Sequence, residues 1–338
     1  MVRYIAGRLV ALVAILFAVT IVTFALAQLS SADPAVQLAG DFPPEEVVQQ
    51  LRKELGLDKP VPVQYALYVK GLLHGDFGRS YFSKQPISSE LPDRIGATFE
   101  LATAALAFSI LIGIPIGIAA AVYRNSPVDH FGRFLALFGT AVPVFFLGLL
   151  MVRLFYTELG VLPASGRYSL EIPPPPTVTH SVIVDSVLAG DWRMLRSAMT
   201  HLVLPSLTLG LFGAGVIARV MRASMLDILN HDYIVMARVK GLTFRRIVLV
   251  HALRNAMLPA LTVIGLTYGA LLGGAVLTET VFSWPGLGLY GVRALTYLDF
   301  PAVMAVVILI TFAYVVMNLV VDILYGVLDP RVRAGMNA

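Results

Sequence analysis

Asp232-Tyr-Ile-Val-Met-Ala-Arg-Val-Lys-Gly241-Leu-Thr-Phe-Arg-Arg-Ile-Val-Leu-Val-His251-Ala-Leu-Arg-Asn255-Ala-Met-Leu-Pro259 is a basic segment set between two long apolar runs. Tyr233 to Lys240 reads as a short helix. Gly241 stops it, because glycine enters the left-handed cap conformation without a Cβ penalty. Thr243 can cap the next helix, which runs on toward the following apolar stretch. The pattern therefore predicts two short helices joined at a sharp glycine turn. Their surface mixes Arg238, Lys240, Arg245 and Arg246 with Tyr233, Val235, Met236 and Phe244. Such a surface suits docking into a groove on a partner. A loop whose charge only fixes membrane topology needs neither the glycine turn nor the aromatic residues.

On either side of this segment the chain is built of apolar blocks. It is 57% hydrophobic and 14% charged over 338 residues, where soluble domains are about a quarter charged. About 20 apolar residues cross the hydrocarbon core of a bilayer, and six stretches qualify: Leu9 to Leu29, Ala97 to Val122, Phe134 to Tyr156, Leu202 to Val220, Leu258 to Leu277 and Val303 to Leu324. The first, although preceded by Arg3 and Arg8 and containing Ala25-Leu26-Ala27, is longer than a cleaved signal requires and reads as a retained anchor. With the N-terminus inside, segments 1–8, 123–133, 219–256 and 325–338 carry 13 of the 25 Lys and Arg, against four acids, Asp129, Asp227, Asp232 and Asp329. The longer segments on the other side carry 11 basic residues among many acids. This bias predicts both termini inside.

The expected architecture is all-α and integral to the membrane. Residues 1–29 form the first span, 30–96 a small helical extracytoplasmic domain, and 97–338 a core of five spans containing the 219–256 loop. In the outer domain, Pro43-Pro44-Glu45-Glu46 predicts a helix start. Val47, Leu51 and Leu55 share a face, Gly56 caps the helix, and a second helix covers Val63 to Leu73, ended by Gly75. In 159–200, Pro173 to Pro176 is extended, and Val182 to Leu195 is expected along the interface.

The 232–259 segment resembles the cytoplasmic loop of binding-protein-dependent ABC importer permeases, the EAA loop, in its dipeptide and oligopeptide version. Ala237-Arg238-Val239-Lys240-Gly241-Leu242 and His251 to Pro259 carry the likeness, with Val235-Met236-Ala237 where the general triplet stands. Leu51 to Tyr65, Gly75 to Tyr81, Thr278-Glu-Thr-Val-Phe-Ser-Trp-Pro-Gly-Leu-Gly288, Asn318 to Asp322 and Asp329-Pro-Arg331 extend it along almost the whole chain. The resemblance implies the type I importer permease fold in a bacterial inner membrane. It also implies a second homologous permease, two ATPase domains or subunits that bind ATP and Mg, an extracytoplasmic substrate-binding protein and a peptide substrate. Ala237, Arg238, Lys240, Gly241, Arg245 and Arg246 would be the ATPase-coupling residues. Nickel, glutathione or another small solute is the alternative cargo within the family, and a stand-alone secondary transporter or channel is the alternative outside it.

The chain lacks a Gly-x-x-x-x-Gly-Lys-Ser/Thr phosphate loop, His-Glu-x-x-His and Gly-x-Ser-x-Gly. Its six histidines are scattered and cysteine is absent, so catalytic residues, resident cofactors, metal sites and nucleic-acid binding are not expected. Within the spans, Arg153 is a candidate carboxylate contact or a snorkelling cation. Asn318 and Asp322, one turn apart, suit a helix–helix hydrogen bond better than substrate contact. Pro115 and Pro143 are expected to kink spans two and three. Gly269, Gly273 and Gly274 permit close packing or a narrow pore wall. Trp284-Pro285-Gly286 is expected as a turn at the outer surface.

Overall fold

The computed structural model describes residues 2–29, 33–40 and 42–328, with side chains from residue 6 to residue 323. The C-terminal Asp329-Pro-Arg331 match and the basic residues Arg331 and Arg333 lie outside the described residues, as does the side chain of Arg3. Most of the described chain is helical. Helix α1 (Val2–Leu29) leads into three short helices, α2 (Pro34–Ala39), α3 (Glu45–Leu55) and α4 (Val61–Leu73). Then follow α5 (Ile87–Val122), α6 (Pro127–Ala141), α7 (Val144–Met151) with a π-helical continuation over Val152–Glu158, α8 (Val182–Ala189) and α9 (Trp192–Leu229). Helices α10 (Asp232–Val239), α11 (Phe244–Arg246), α12 (Leu253–Val281), α13 (Leu287–Thr296) and α14 (Phe300–Leu328) complete the chain. Among the described residues five helices are long and apolar enough to cross a membrane, or six if the bent α6–α7 pair is one span.

The seam between α5 and α9 is the centre of the bundle. On α5, Ala97, Leu101, Ala105, Ser109, Gly113, Gly117 and Ala121 recur every four residues and are buried. On α9, Ala198, Leu202, Ser206, Gly210, Ala214 and Ala218 do the same. Small residues at that spacing let helix backbones approach closely where apolar lipid supplies no hydrophobic drive. A Cβ on Gly117 would stand 2.7 Å from Ala218 O and from Met221 Cβ, and one on Gly210 2.6 Å from Ala105 O. Ser109 Oγ crosses the seam, 2.7 Å from both Ala105 O and Gly210 O. Helix α6 reaches α9 in the same way, with Gly139 against Leu211 O. Helix α12 packs on α9 and α14, and α14 also packs on α1 and α13.

The third span departs from expectation. Instead of a kink at Pro143, α6 and α7 meet at 106°. Val142 is extended (φ −80°, ψ 126°), as a residue before proline prefers to be, and Pro143 has no N–H to leave unpaired. Helix α7 therefore folds over α9 and α12, and Gly148 lies against Thr208, Val281 and Phe282. Helix α5 continues through Pro115. It also starts at Ile87, so residues 87–96, expected in the outer domain, belong to a spanning helix. Trp192 to Leu195, expected along the interface, are the first turn of α9, separated from α8 by Gly190 (φ 67°). Helix α13 was not expected.

The short helices at the α13 end follow the sequence closely. Gly56 caps α3 in the left-handed conformation (φ 67°). The buried residue of α3, however, is Val48, whereas Val47 and Leu55 are each 42% exposed, because α3 is covered by α2 rather than by the bundle. The proline-rich segment is tied down by Asp185. Burial works against its charge, but hydrogen bonds from Thr179 Oγ1 and from the backbone N–H groups of Thr179 and Val178 outweigh burial, so its carboxyl titrates below the usual range.

Replacing Gly117 by leucine forces the α5–α9 seam apart. The expected cost is about 1–3 kcal/mol or more, read as a lower thermal unfolding midpoint in detergent. Gly7→Leu, at a glycine with nothing within 4 Å, is expected to leave that midpoint in place.

Candidate functional site: the α10–α12 segment

The predicted glycine turn is present in full. Helix α10 ends at Val239, and Gly241 lies at φ +76°. Gly241 N–H donates to Arg238 O (2.9 Å) and Leu242 N–H to Ala237 O (3.2 Å). These two bonds are the paired closure of a Schellman motif, and Leu242 packs back on the cluster that holds Ala237. Thr243 stands at the N-cap of α11 with extended geometry (ψ 144°), but its hydroxyl makes no capping bond there. From Phe244 the chain runs through a π-helical stretch (Ile247–Ala252) into α12 without a break, so α11 and α12 form one rigid rod.

Two faces of α10 have separate roles. Ile234 is fully buried and Ala237 is 8% exposed. They join Met221 and Met225 of α9, Ala121 of α5 and Ile247, Val248 and Ala252 of the π-helical stretch. Asn255 Nδ2 donates to Tyr233 Oη (2.7 Å), pinning α10 to α12. The opposite face shows Val235, Met236 (56% exposed) and Val239 (77%), continued by Phe244 beyond the turn. Arg238, Lys240, Gly241, Arg245 and Arg246 are exposed around it. Of the six residues expected to couple, five face outward together, while Ala237 packs inward and positions the others. An apolar centre rimmed by cations matches the anatomy of a protein interface.

The remaining candidates separate from this site. Arg153 lies on the π-helical continuation of α7, 76% exposed, with Glu158 Oε1 3.5 Å away. Asp322 pairs with Arg8 of α1 at 3.0 Å, a contact between two helices. Asn318 Oδ1 is buried beside Gly269 and has no hydrogen-bond partner among the described residues. Gly269 serves close packing, whereas Gly273 and Gly274 face open space.

At the α13 end the structure assembles a clamp that sequence reasoning missed. Glu279, fully buried, accepts hydrogen bonds from Thr98 Oγ1 (2.7 Å) and Leu289 N–H (2.9 Å). Thr98 Oγ1 in turn accepts from Leu287 N–H (2.8 Å). Trp284, expected at the surface, is instead 1% exposed, and its Nε1 donates to Ala97 O (2.8 Å). The Trp-Pro-Gly turn is thus folded inward onto α5, because Glu279 needs donors that only the start of α13 and Thr98 supply. Glu100, also buried, pairs with Arg167 at 2.6 Å, and Asp129 holds Arg222 through contacts of 2.6 and 2.9 Å. All three carboxylates were legible as lone acids in or beside apolar runs, a position that calls for a partner. Among the described residues no group of His, Asp and Glu is placed to hold a metal ion.

Comparison with known proteins bears on this arrangement. Residues 113–334 match the family of binding-protein-dependent transport system inner membrane components, and residues 1–102 match the N-terminal family of the same membrane components. The chain is 46% identical over 324 residues to the probable D,D-dipeptide transport system permease protein DdpB of Escherichia coli, covering 96% of this chain and 95% of that one. It is 42% identical over 337 residues to the dipeptide transport system permease protein DppB of the same organism (98% and 99% covered). It is 38% identical over 333 residues to the glutathione transport system permease protein GsiC of Salmonella paratyphi A (98% and 99%). In fold it is similar to a chain of the MetNI methionine ABC transporter in an inward-facing conformation, with a TM-score of 0.52 and 17% identity over 71% of this chain and 96% of that one.

A β-branched residue at Gly241 meets no neighbour but must hold a left-handed backbone, a cost of about 1–2 kcal/mol. Gly241→Val is therefore expected to speed hydrogen exchange at the Leu242 amide roughly tenfold. Gly241→Asn is expected to change it much less, since asparagine tolerates that conformation.

Proposed function

The chain belongs to the family of binding-protein-dependent transport system inner membrane components, and from that membership we propose that it is the pore-forming permease subunit of an ATP-driven importer of di- and oligopeptides. The observation that carries the reading is the α10–Gly241–α11 unit. It is a short helix whose inner face is locked to α5, α9 and α12, while its outer face offers Val235, Met236, Val239 and Phe244 within a ring of cations. A partner ATPase that grips this face moves α10. Since α11 is continuous with α12, the motion passes directly into a spanning helix. Discrete rearrangement of such a packed element is how an ATP-driven change at one end reaches the opposite end.

In this reading the α10 end is cytoplasmic and both termini lie inside, as the distribution of Lys and Arg supports. The short helices α2 to α4, α8 and α13 face the outside, where a substrate-loaded binding protein delivers its cargo. A second, homologous permease completes the pore, and ATP and Mg are bound by the ATPase subunits. Peptide is favoured as cargo by the names of the relatives at 42–46% identity. Glutathione, named for relatives at 38% identity, is itself a small peptide and falls within the same chemical class.

Met236→Asp and Phe244→Asp place charges at the centre of the exposed apolar patch without touching the buried side of α10. In the complex co-expressed with its neighbouring permease and ATPase subunits, each is expected to lower ATP turnover stimulated by substrate-loaded binding protein at least about tenfold. The unfolding temperature of the permease is expected to stay unchanged. Normal coupling in both variants, or a wild-type chain that folds and never recruits an ATPase, sinks the docking assignment and makes a stand-alone transporter or channel the leading account.

A further inference from the structure

A cleft of about 620 Å³ opens at the α13 end of the molecule. It shares no residue with the α10–α12 segment or with the Glu279 clamp. Three segments far apart in sequence form its walls: Val36 and Gln37 on α2, Tyr81, Phe82 and Lys84 in the turn before α5, and Tyr297 just after α13. Its size falls within the roughly 300–1,000 Å³ of clefts that hold a ligand, and nothing in the function proposed above uses it.

The walls are fixed by contacts between those segments. Asp299 accepts from Ser80 Oγ and from Phe82 N–H (3.3 Å), which fastens the turn to the start of α14. The Phe82 ring stacks on Tyr297, with centroids 4.2 Å apart and planes inclined by 21°. Lys84 holds a left-handed backbone (φ 60°), uncommon away from glycine. Its N–H donates to Ser80 O (3.1 Å), and its Nζ reaches across to Gln37 O of α2.

Several groups in the cleft remain free. The Lys84 ammonium carries three N–H donors and spends one on Gln37 O. The hydroxyls of Tyr81 and Tyr297 make no hydrogen bond among the described residues. No acid lines the cleft. The two carboxylates whose charge acts on Tyr81 are committed elsewhere, Asp299 to Ser80 and Phe82, and Asp33 to Arg52. Val36 is 41% exposed, Phe82 61% and Tyr297 52%, so the mouth is an apolar and aromatic surface beside one cation without an acidic partner. That pairing is complementary to a carboxylate with an apolar neighbour. A small ligand covers the cleft alone, whereas a protein loop also covers Leu298, next to Tyr297 and 48% exposed. Aromatic residues at the centre and a charge at the rim are the composition of a protein interface. We infer that this cleft receives an acidic loop of the extracytoplasmic substrate-binding protein, with a carboxylate on Lys84 and an apolar side chain against Phe82 and Tyr297. The inference rests on the importer reading above, which puts this end outside, and adds to it the place where that partner is held.

The test uses the assembled transporter, with both permeases and the ATPase subunits, in lipid nanodiscs. Affinity for the dialanine-loaded binding protein is measured at low and at high salt. Lys84→Glu is expected to weaken binding about tenfold at low salt and much less at high salt, because charges at a rim are screened. Lys84→Arg, which keeps the charge, is expected to bind as the wild type does. Tyr297→Ala is expected to weaken binding about tenfold at either salt. Wild-type affinity in Lys84→Glu or in Tyr297→Ala, or a loss in Lys84→Glu that salt does not change, overturns the inference and leaves the importer reading intact. Variants that hold the binding protein normally but lose free dialanine from the complex make the cleft a small-ligand site, which overturns it as well. A wild-type complex that never engages the binding protein defeats the importer reading itself, and this inference with it.

Discussion

Close approach of α5 and α9 through small side chains is the constraint on which the rest of the molecule depends. In an apolar solvent, burying leucine against leucine yields little, so helix pairs are held by dense van der Waals contact and by a few hydrogen bonds. Gly113 and Gly117 on one helix, Gly210 and Gly213 on the other, and Ser109 between them supply both. Helix α6 joins through Gly132, Gly139 and Gly215 by the same device. The two central helices then act as a single stiff body, and each end of that body anchors a functional element. Ala97 and Thr98, at one end of α5, receive Trp284 and the Glu279 turn. Ala121, Met221 and Met225, at the other, receive α10.

Buried polar groups attach the peripheral segments to this body. Glu100 gathers Arg167, Ser181 and the backbone of Ile183, fastening the proline-rich outer segment. Asp299 accepts from Ser80 Oγ and from the backbone N–H of Phe82, fastening the turn that precedes α5. Asp129 fixes α6 to α9. Each carboxylate is satisfied by several donors, the condition under which burial of a charge is tolerated. Helix α12 is continuous through α11 with the exposed apolar and basic face at one terminus and carries the Glu279 clamp at the other.

Much of this was readable from residues alone. The apolar runs located every spanning segment, and Gly241 located a left-handed turn whose two backbone bonds are those the cap motif requires. The cations around it and Phe244 do face outward, whereas Ala237 packs inward. What misled was local pattern applied where distant contacts govern. Trp284 beside proline and glycine looks like a surface turn, and nothing near it in sequence reveals that Ala97 O awaits its N–H. Val47, Leu51 and Leu55 form a regular apolar face, but the element that covers α3 sits against Val48.

The sequence by itself determined the all-helical membrane class, the number of spanning segments within one, the distribution of charge between the two ends and the position of the left-handed turn at Gly241. Each follows from hydrophobic run length, charge placement or glycine stereochemistry, which act over a few residues. Only the tertiary structure decided that the third span turns through a right angle over α9 and α12, that Ala237 packs inward, and that Glu279, Glu100 and Asp129 hold the peripheral segments. Those outcomes depend on which backbones approach closely enough to exclude a Cβ and which buried charge finds a donor. Both are properties of residues far apart in the chain.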